Sequence, residues 1–508
     1  MIKKLLTFLL LVIICQATKA QNEFITIWKP TITIIPVTVN APYQTNNNQI
    51  WFPGIGNNYK IVWEEVGYPQ HTETMNNVTA VNQVLIDFGT PLNPNPAEAT
   101  YRVKVSNGNG QFKQMKFNSP NQIAGNIIVT WFTHGSVDKL EVIEQWGNIQ
   151  WTSMYSAFSS CSKLQLTATD LPDLSNVQDM SYMFRLARNL TGNASIGDWN
   201  TSGVNNMRGL FSGAQAFNQP LDKWDTGNVT DMSAMFSQAS VFNHSINSWN
   251  TSNVTNMSDM FAFALVFNQP LNNWNTSKVT NMAAMFHFIT NFNQPINNWD
   301  TSKVTSMSHM LHGCTAFNQP LDHWDTSNLT DANIMLNLAT SFNQSLETWN
   351  LPSLTTAMLM LTESGIDCTN YSQTLKGWAN NTNTADNINL GPLAPFTYSI
   401  DVANERNILL SKGWTIGGDL MGECRVLGSL ETKLKNQPFI YPNPATDFIY
   451  VKNSKDVKSY IISDLSGRII MKDSLSKDDI NIQALTSGNY ILQIIAKDKI
   501  HTFKFIKK

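Results

Sequence analysis

The chain has 508 residues, a formal charge of −3 and a charged fraction of 14%, well below the roughly 25% that is usual for globular proteins. At about 100–200 residues per domain, this length predicts two to four domains. Lys and Arg are few and are balanced by acids, so the chain lacks the basic surface that nucleic-acid binding requires. We therefore expect no nucleic-acid partner.

The N-terminus has the organisation of a secretory signal peptide, residues 1–20. Two lysines precede the apolar run 5–15, and an A-x-A site predicts cleavage between Ala20 and Gln21. An eleven-residue run is too short to cross a bilayer, which takes about 20 residues. A lipoprotein signal that uses Cys15 is the alternative, but the residue before this cysteine is large. We expect an exported protein with no transmembrane segment in the mature chain.

Residues 21–143 contain short strand-like runs separated by turn signals such as Asn107–Gly110. Seven runs predict a β-sandwich of immunoglobulin-like type that caps the repeats after it. They read FITIW, TITIIPVTV, YKIVWEE, VLIDF, TYRVKVS, QFKQMKF and NIIVTWF. Trp51, Trp63 and Tyr68 could line a sugar site, although a place in the core is the favoured interpretation.

Residues 144–366 repeat with a period of 25 residues, which is clearest in seven tryptophans: Trp199, Trp224, Trp249, Trp274, Trp299, Trp324 and Trp349. In the copy that begins at Phe217, apolar side chains from Val229 to Ala239 have helical spacing and predict a short helix. The preceding residues 217–224 predict a turn and a short extended piece. One helix and one strand per copy predict an α/β solenoid. Because one copy cannot bury its own apolar face, we expect copies to stack, Trp upon Trp.

The repeat W-[DN]-T-S-x-V-T-x-M-x-x-M-F, followed by F-N-Q-P-[LI], resembles that of the BspA-like leucine-rich-repeat surface proteins of bacteria. The resemblance covers about 200 residues and many copies. It implies a leucine-rich-repeat-like fold, exposure on the cell surface or secretion, and a role in adhesion.

Residues 367–427 predict a cap made of two helices, the second ended by Gly413. Cys368 and Cys424 flank this cap, and in an exported protein they are expected to form a disulfide. Other pairings with Cys161 or Cys314 stay open, although Cys314 is expected to remain a free thiol. The cysteines show no CxxC spacing, so no zinc site is expected. A polar linker, residues 428–437, follows.

Residues 438–508 are rich in strand-like runs and are predicted to form a second immunoglobulin-like β-sandwich. They resemble the C-terminal sorting domain of the type IX secretion system of Gram-negative bacteria. The resemblance rests on Tyr441, Pro442, Asn443, Pro444, Ala445, Asp464, Leu465, Gly467, Arg468, Gly488, Tyr490, Lys504 and Lys507. It implies handling by the type IX machinery, removal of the domain by a sortase, and release or attachment at the outer cell surface.

No catalytic signature occurs in the sequence, so we expect no enzyme activity and no cofactor. His309 and His312 have metal-ligand spacing, but no carboxylate accompanies them and no metal site is predicted. The seven tryptophans are interpreted as core rather than as a glycan platform. The predicted function is that of an adhesin that binds protein or cell-surface partners through the repeats. The alternative is a carbohydrate-binding accessory protein that uses residues 21–143 or exposed aromatic side chains.

Overall fold

The computed structural model describes residues 22–31, 45–124, 127–424, 439–452, 457–465, 467–475, 478–496 and 500–508. The signal peptide with its cleavage site at Ala20 and Gln21, and the linker 428–437, lie outside these residues. The chain divides into two compact units, Met1–Glu423 and Cys424–Lys508.

The first unit begins with a region rich in strands. They are β1 (Phe24–Trp28), β2 (Gln49–Phe52), β3 (Gly54–Glu65), β4 (Tyr68–Ala80), β5 (Val84–Asp87), β6 (Tyr101–Ser106), β7 (Gln111–Met115), β8 (Asn118–Ala124), β9 (Ile127–Thr133), β10 (Leu140–Gln145) and β11 (Gln165–Leu166). One seven-stranded sheet has the order β11-β10-β1-β6-β3-β4, with β7 paired to β3. Strands β2 with β5, and β8 with β9, form two further sheets of two strands each.

The N-terminal strands do not form the separate immunoglobulin-like sandwich that the sequence predicts. Strand β11 belongs to the repeats and pairs in parallel with β10, so the large sheet continues into the repeat region. The ring of Phe24 lies 5.1 Å from that of Trp151, and Trp146 lies 5.3 Å from Trp199. One continuous apolar core results, because the first copies would otherwise leave their apolar end in water.

The repeated residues 151–366, which we call the repeat array, consist mainly of turns. After a short 3-10 helix at Ala194–Asp198, the array contains neither an α-helix nor a strand. Consecutive copies are joined instead by single-residue parallel bridges at one position: Asp179, Asn206, Asp231, Asn256, Asn281, Ser306, Asp331 and Thr356. Each copy therefore pairs with the next through its backbone.

The short helix predicted in each copy is absent because the backbone alternates between two conformations. Ala234 and Gln238 have φ values of 54° and 60°, in the left-handed region that no α-helix contains. The amide of Met232 donates to the Asn256 carbonyl, at 3.0 Å, and that of Ala234 to Ser258, at 2.8 Å. These amides bond to the next copy rather than to the preceding turn, so helical spacing of apolar residues arises here without a helix.

The interior of the array is a stack of aromatic rings. Trp224 and Trp249 are nearly parallel, with ring centroids 6.4 Å apart and an interplanar angle of 4°. Trp274 and Trp299 stack in the same way, at 6.4 Å. Each of the seven tryptophans is between 1% and 4% exposed. The indole of Trp274 also donates a hydrogen bond to the Ile246 carbonyl, at 3.1 Å, so its polar atom is satisfied inside the core.

A ladder of asparagines satisfies the backbone along one edge of the array. The side-chain oxygen of Asn268 accepts a hydrogen bond from the amide of Asn293, at 3.1 Å. The same bond recurs from Asn243 to Asn218 and from Asn318 to Asn293. Polar contacts between copies are therefore made by neutral amides, which explains how the array holds together with so few charges.

Two helices follow the array, as the sequence predicts: α1 (Cys368–Asn380) and α2 (Ala403–Ser411). Asp367 caps α1 by accepting from the amide of Asn370. The indole of Trp378 donates to the Leu346 carbonyl, at 3.0 Å, and so extends the tryptophan series beyond the last copy. Short strands complete this region: β12 (Asn389–Pro392), β13 (Thr397–Ser399), β14 (Thr415–Gly417) and β15 (Leu420–Gly422).

The second unit contains strands β16 (Phe439–Tyr441), β17 (Phe448–Lys452), β18 (Val457–Ser463), β19 (Ile469–Ser474), β20 (Asp479–Asn481), β21 (Gly488–Ala496) and β22 (Ile500–Lys507). They form a three-stranded sheet, β16-β17-β20, and a four-stranded sheet, β19-β18-β21-β22. Its separate core includes Ile449, Ile462, Leu492 and Phe505.

The fold class predicted from the sequence, an α/β leucine-rich-repeat-like solenoid between two immunoglobulin-like sandwiches, is wrong. The described parts of the chain consist mostly of strands in small sheets and of turns, with α1 and α2 as the only α-helices. The physical reason lies in the copies themselves, because alternate backbone amides, such as those of Met232 and Ala234, donate to the next copy and interrupt any run of helix hydrogen bonds.

Candidate binding surface

One side of the repeat array carries side chains that differ from copy to copy. In the copy that begins at Phe217 its positions are Ala234, Ser237 and Gln238. We call this side the outer face, and we include Lys116 and Trp131, which contact it. The alternating backbone creates it, because the left-handed residues Ala234 and Gln238 lie beside the amides that pair with the next copy.

The first copies give the outer face an aromatic and cationic end. The rings of Tyr155 and Tyr182 are 6.2 Å apart, and Trp131 of β9 meets Tyr182 at 5.0 Å. The guanidinium of Arg185 lies over the Trp131 ring at 4.8 Å, and Lys116 over the Tyr155 ring at 5.3 Å. Both pairs have cation–π geometry.

The later copies give it a cluster of phenylalanine and histidine rings. Phe263 lies 5.4 Å from Phe288 and 5.0 Å from His287. His287 contacts His312 at 4.8 Å and His309 at 5.6 Å. We call these five residues, Phe263, His287, Phe288, His309 and His312, the ring cluster. Three successive copies contribute to it.

The ring cluster favours neutral imidazoles. Burial, together with the neighbouring His312 and His309, lowers the pKa of His287 to about 4. Burial and His309 also lower the pKa of His312. Nε2 of His287 and Nδ1 of His312 are buried without a hydrogen-bond partner among the described residues. At neutral pH the imidazoles of His287 and His312 are therefore uncharged.

Apolar side chains are also exposed in the copies 217–241 and 242–266. Phe263 is 39% exposed, and Val241, Leu265 and Val266 are 41%, 48% and 43% exposed. In later copies the places of Leu265 and Val266 are taken by small or polar residues, such as Thr290. These copies therefore expose more apolar surface than the later copies do.

The tryptophans predicted from the repeat lie in the interior of the array rather than on the outer face. The seven tryptophans are buried, so they present no platform to a glycan. The three imidazoles meet by ring contact, and among the described residues no group of His, Cys, Asp and Glu has the arrangement of a metal site. Sequence reasoning missed Phe263 and Phe288, although their departure from the repeat at one recurring position was a visible signal.

The other predicted sites occupy two separate regions. Cys368 and Cys424 are both disulfide-bonded, whereas Cys161 and Cys314 are free and buried. Burial raises the pKa of the Cys314 thiol to about 12, which leaves it unreactive at neutral pH. Trp63 is buried at 3% exposure, and Trp51 and Tyr68 are half-buried.

The sorting motif residues come together at strand β22. The side chain of Asn443 donates to the Lys504 carbonyl, at 3.0 Å, and accepts from the Ile506 amide, at 3.0 Å. Lys504 and Lys507 lie on β22 itself. The backbone of Ala445 pairs with that of Lys507. Motif residues that are some 60 positions apart in the sequence therefore form one structural joint.

The remaining motif residues shape turns and the core. Gly467 has a φ of +87°, a conformation that favours glycine, in the turn that Asp464 and Arg468 close by hydrogen bonds. Gly488 begins β21, and Tyr490 stacks on Phe505 with ring centroids 5.6 Å apart. Tyr441 stacks on Tyr450 at 5.4 Å.

The architecture and the variable outer face define a repeat protein joined to a small β-domain. Residues 152–273 and 262–378 match a family described as "Mycoplasma protein of unknown function, DUF285". Residues 439–508 match the "Secretion system C-terminal sorting domain". No curated protein matches the chain.

The sorting domain indicates an exported protein that reaches the cell surface or the medium through the type IX secretion machinery. Among the described residues, every helix is too short or too polar to cross a membrane.

Proposed function

We propose that the protein is a non-enzymatic adhesin that binds a protein partner on another cell or on a host surface through its outer face. The observation that carries this proposal is the contrast, within each copy, between its buried positions and its positions on the outer face. Buried positions repeat their residue types, whereas the outer face changes from Gln238 to Phe263 to Phe288 at one position. Repeat proteins commonly bind along such a face, because its side chains are not needed for stacking.

The chemistry of the outer face favours a protein partner. Aromatic side chains and arginine are enriched where protein interfaces gain most of their binding energy. Phe263 and Phe288 supply rigid apolar area, and Arg185 on Trp131 supplies a weakly hydrated cation. The resemblance of the repeat to that of BspA-like surface proteins supports adhesion as the role. Export through the sorting domain brings the array to the cell surface or the medium, where it meets other cells and host surfaces.

A cell-binding experiment tests this proposal with purified chain that begins at Gln21. The double variant Phe263→Ala/Phe288→Ala should weaken binding to epithelial or bacterial cells by about tenfold or more, as expected for central interface residues. Leu171→Ala removes a similarly exposed apolar side chain, 46% exposed, from a position outside the outer face and is the matched control. Equal binding by wild type and double variant would refute the role of this face.

We propose further that a surface sortase removes the sorting domain within or near the linker 428–437. Linkers with few large apolar residues are preferred sites of cleavage. Mass spectrometry of the surface form should find a new C-terminus in this segment, and deletion of residues 438–508 should leave a folded protein in the periplasm. A surface form that still ends at Lys508 would contradict the cleavage, and export of the truncated chain would contradict the sorting role.

A further inference from the structure

The aromatic and cationic end of the outer face lacks the acidic side chains that usually accompany cations. The Arg185 guanidinium lies over the ring of Trp131 at 4.8 Å, and the Lys116 ammonium lies over that of Tyr155 at 5.3 Å. Neither cation forms an ion pair or a side-chain hydrogen bond with another of the described residues. Stacking uses the face of a guanidinium, so the N–H donors at the edge of Arg185 remain available.

Arg185 is held in a partly desolvated place. The residue is half-buried, and burial lowers the pKa of its guanidinium, an effect that the neighbouring Tyr182 and Tyr155 oppose. The ring of Tyr182 is fixed against the next copy, where a Cβ on Gly209 would come within 2.6 Å of it. Partial burial of a cation without an anion costs free energy, so the arrangement favours an anionic group supplied by a ligand.

The acidic residues near this end are used by their own turns. Oδ1 of Asp179 accepts from the amide and the hydroxyl of Ser181, at 2.8 and 2.6 Å. Oδ1 of Asp231 accepts from the amide of Ser233, at 2.8 Å. Neither carboxylate is among the groups that shift the pKa of Arg185. The two aspartates therefore hold the backbone and leave the charge of Arg185 without a counterion.

The chemistry along the outer face suits a single carboxylate rather than a polyanion. Polyanions are bound by rows of exposed cations. In the next copies, however, the place of Arg185 is taken by Ser212 and then Ser237, and Asp259 adds a negative charge to the face. The planar fork of an arginine binds one carboxylate through two parallel hydrogen bonds. A sulfated glycan or a nucleic acid therefore fits this face poorly, whereas one acidic group of a protein fits it well.

The distance from Arg185 to the ring cluster sets the length of the segment that a partner would place there. Phe263 lies three copies further along, because the amides of Leu186, Gly213 and Gln238 donate in turn to the copy that follows each of them. At about 4.8 Å per copy, the usual distance between neighbouring strands, this is roughly 14 Å along the face. An extended segment rises about 3.3 Å per residue and spans this distance in about four residues.

We propose that the protein partner places a carboxylate on Arg185 and, about four residues away in an extended segment, an apolar side chain on Phe263. This inference rests on the proposed function, because it names the chemistry that the same outer face recognises. Lys116 supplies a second positive charge at the carboxylate end, which steers an acidic segment to this end of the face.

Selection of a phage-displayed library of short random peptides on the chain from Gln21 to Lys508 tests this recognition. Selected peptides should be enriched in Asp or Glu about four residues from Phe, Trp or Leu, and Arg185→Gln should abolish the preference for acids. Arg185→Lys keeps the charge and should retain part of it. Arg188→Gln removes an exposed cation of the same copy outside the outer face and is the matched control. Peptides without acids, or an acid preference that persists in Arg185→Gln, would overturn the proposal.

Cells that bind the wild-type chain provide a second test, once their surface carboxylates have been converted to amides with a carbodiimide and ethanolamine. Wild type should lose about tenfold in binding, as Arg185→Gln should on untreated cells. Arg185→Gln should lose little more on treated cells, because both changes remove the same pair. Sialidase treatment should leave binding unchanged, and a loss as large as that from the carbodiimide would place the acid on a glycan and refute a protein carboxylate.

The same cells separate this inference from the proposed function. If Phe263→Ala/Phe288→Ala weakens binding but Arg185→Gln does not, the outer face binds a partner without a carboxylate and only the inference is wrong. If neither variant weakens binding, the proposed function itself is wrong. Thermal unfolding of Arg185→Gln should match that of Arg188→Gln, which shows that the loss of binding does not come from a loss of folded protein.

Discussion

The interior of the repeat array and its outer face are built from the same copies but follow opposite rules. Inside, Trp224, Trp249 and Trp274 keep the same residue type, depth and indole hydrogen bond from copy to copy. Outside, Phe288 and its equivalents vary freely. The difference shows that stacking constrains one side of each copy and leaves the other side available for recognition.

The comparison is tested most severely by Trp274→Ala. Loss of a buried Trp is expected to cost about 3–5 kcal/mol of the free energy of unfolding, and the loss should spread because each copy contacts only its neighbours. Urea unfolding followed by fluorescence measures it. Lys303→Ala, at an exposed position, is the control. Unchanged stability in Trp274→Ala would mean that the stack does not hold the array together.

Asn268→Ala should have a smaller effect on the same interior. Its side-chain oxygen accepts from the Asn293 amide, at 3.1 Å, and from the Gln294 side chain, at 3.0 Å, so about 1–2 kcal/mol of unfolding free energy should be lost. Gln269→Ala removes only a side-chain donor to Asn243 and should cost less. Equal losses in the two variants would argue against a special role for the asparagine ladder.

Acid should weaken the array through the ring cluster. Because the pKa of His287 is lowered from 6.5 to about 4, the unfolded chain binds more protons than the folded chain between these values, and the stability falls as the pH falls from about 6.5 towards 4. His312 acts in the same direction. Burial raises the pKa of the neighbouring Asp259, and the nearby Arg208 and His309 partly offset this rise.

Thermal unfolding at a series of pH values measures this dependence. Wild type should lose melting temperature across this window, and the double variant His287→Phe/His312→Asn should lose less, because it lacks the two imidazoles whose pKa values are lowered. A wild-type profile that stays level between pH 6.5 and 4 would contradict the lowered pKa values.

The smallest effect on stability is expected for Phe288→Ala on the outer face. Phe288 is only half-buried, so its truncation should change the free energy of unfolding by less than about 1 kcal/mol. Comparison with Trp274→Ala in the same urea experiment completes the contrast. A loss as large as that of Trp274→Ala would mean that the ring cluster belongs to the core, which would weaken the case for an interaction surface.

Much of the organisation followed from the sequence alone. The 25-residue period identified the buried tryptophans, because a residue type that recurs at fixed spacing occupies the same place in every copy. The motif from Tyr441 to Lys507 identified the sorting domain, which the family match confirms. The two helices after the array were predicted from their own spacing and caps, and they are present.

Only the tertiary structure decided the conformation of each copy and the location of the candidate sites. Local spacing from Val229 to Ala239 favours a helix, but the amides of this segment gain partners in the next copy, an interaction that no local pattern contains. The ring cluster joins residues from three copies, and the sorting motif joins Asn443 to Lys504 and Ile506 on a distant strand. Contacts between distant segments created these sites, so sequence order alone could not reveal them.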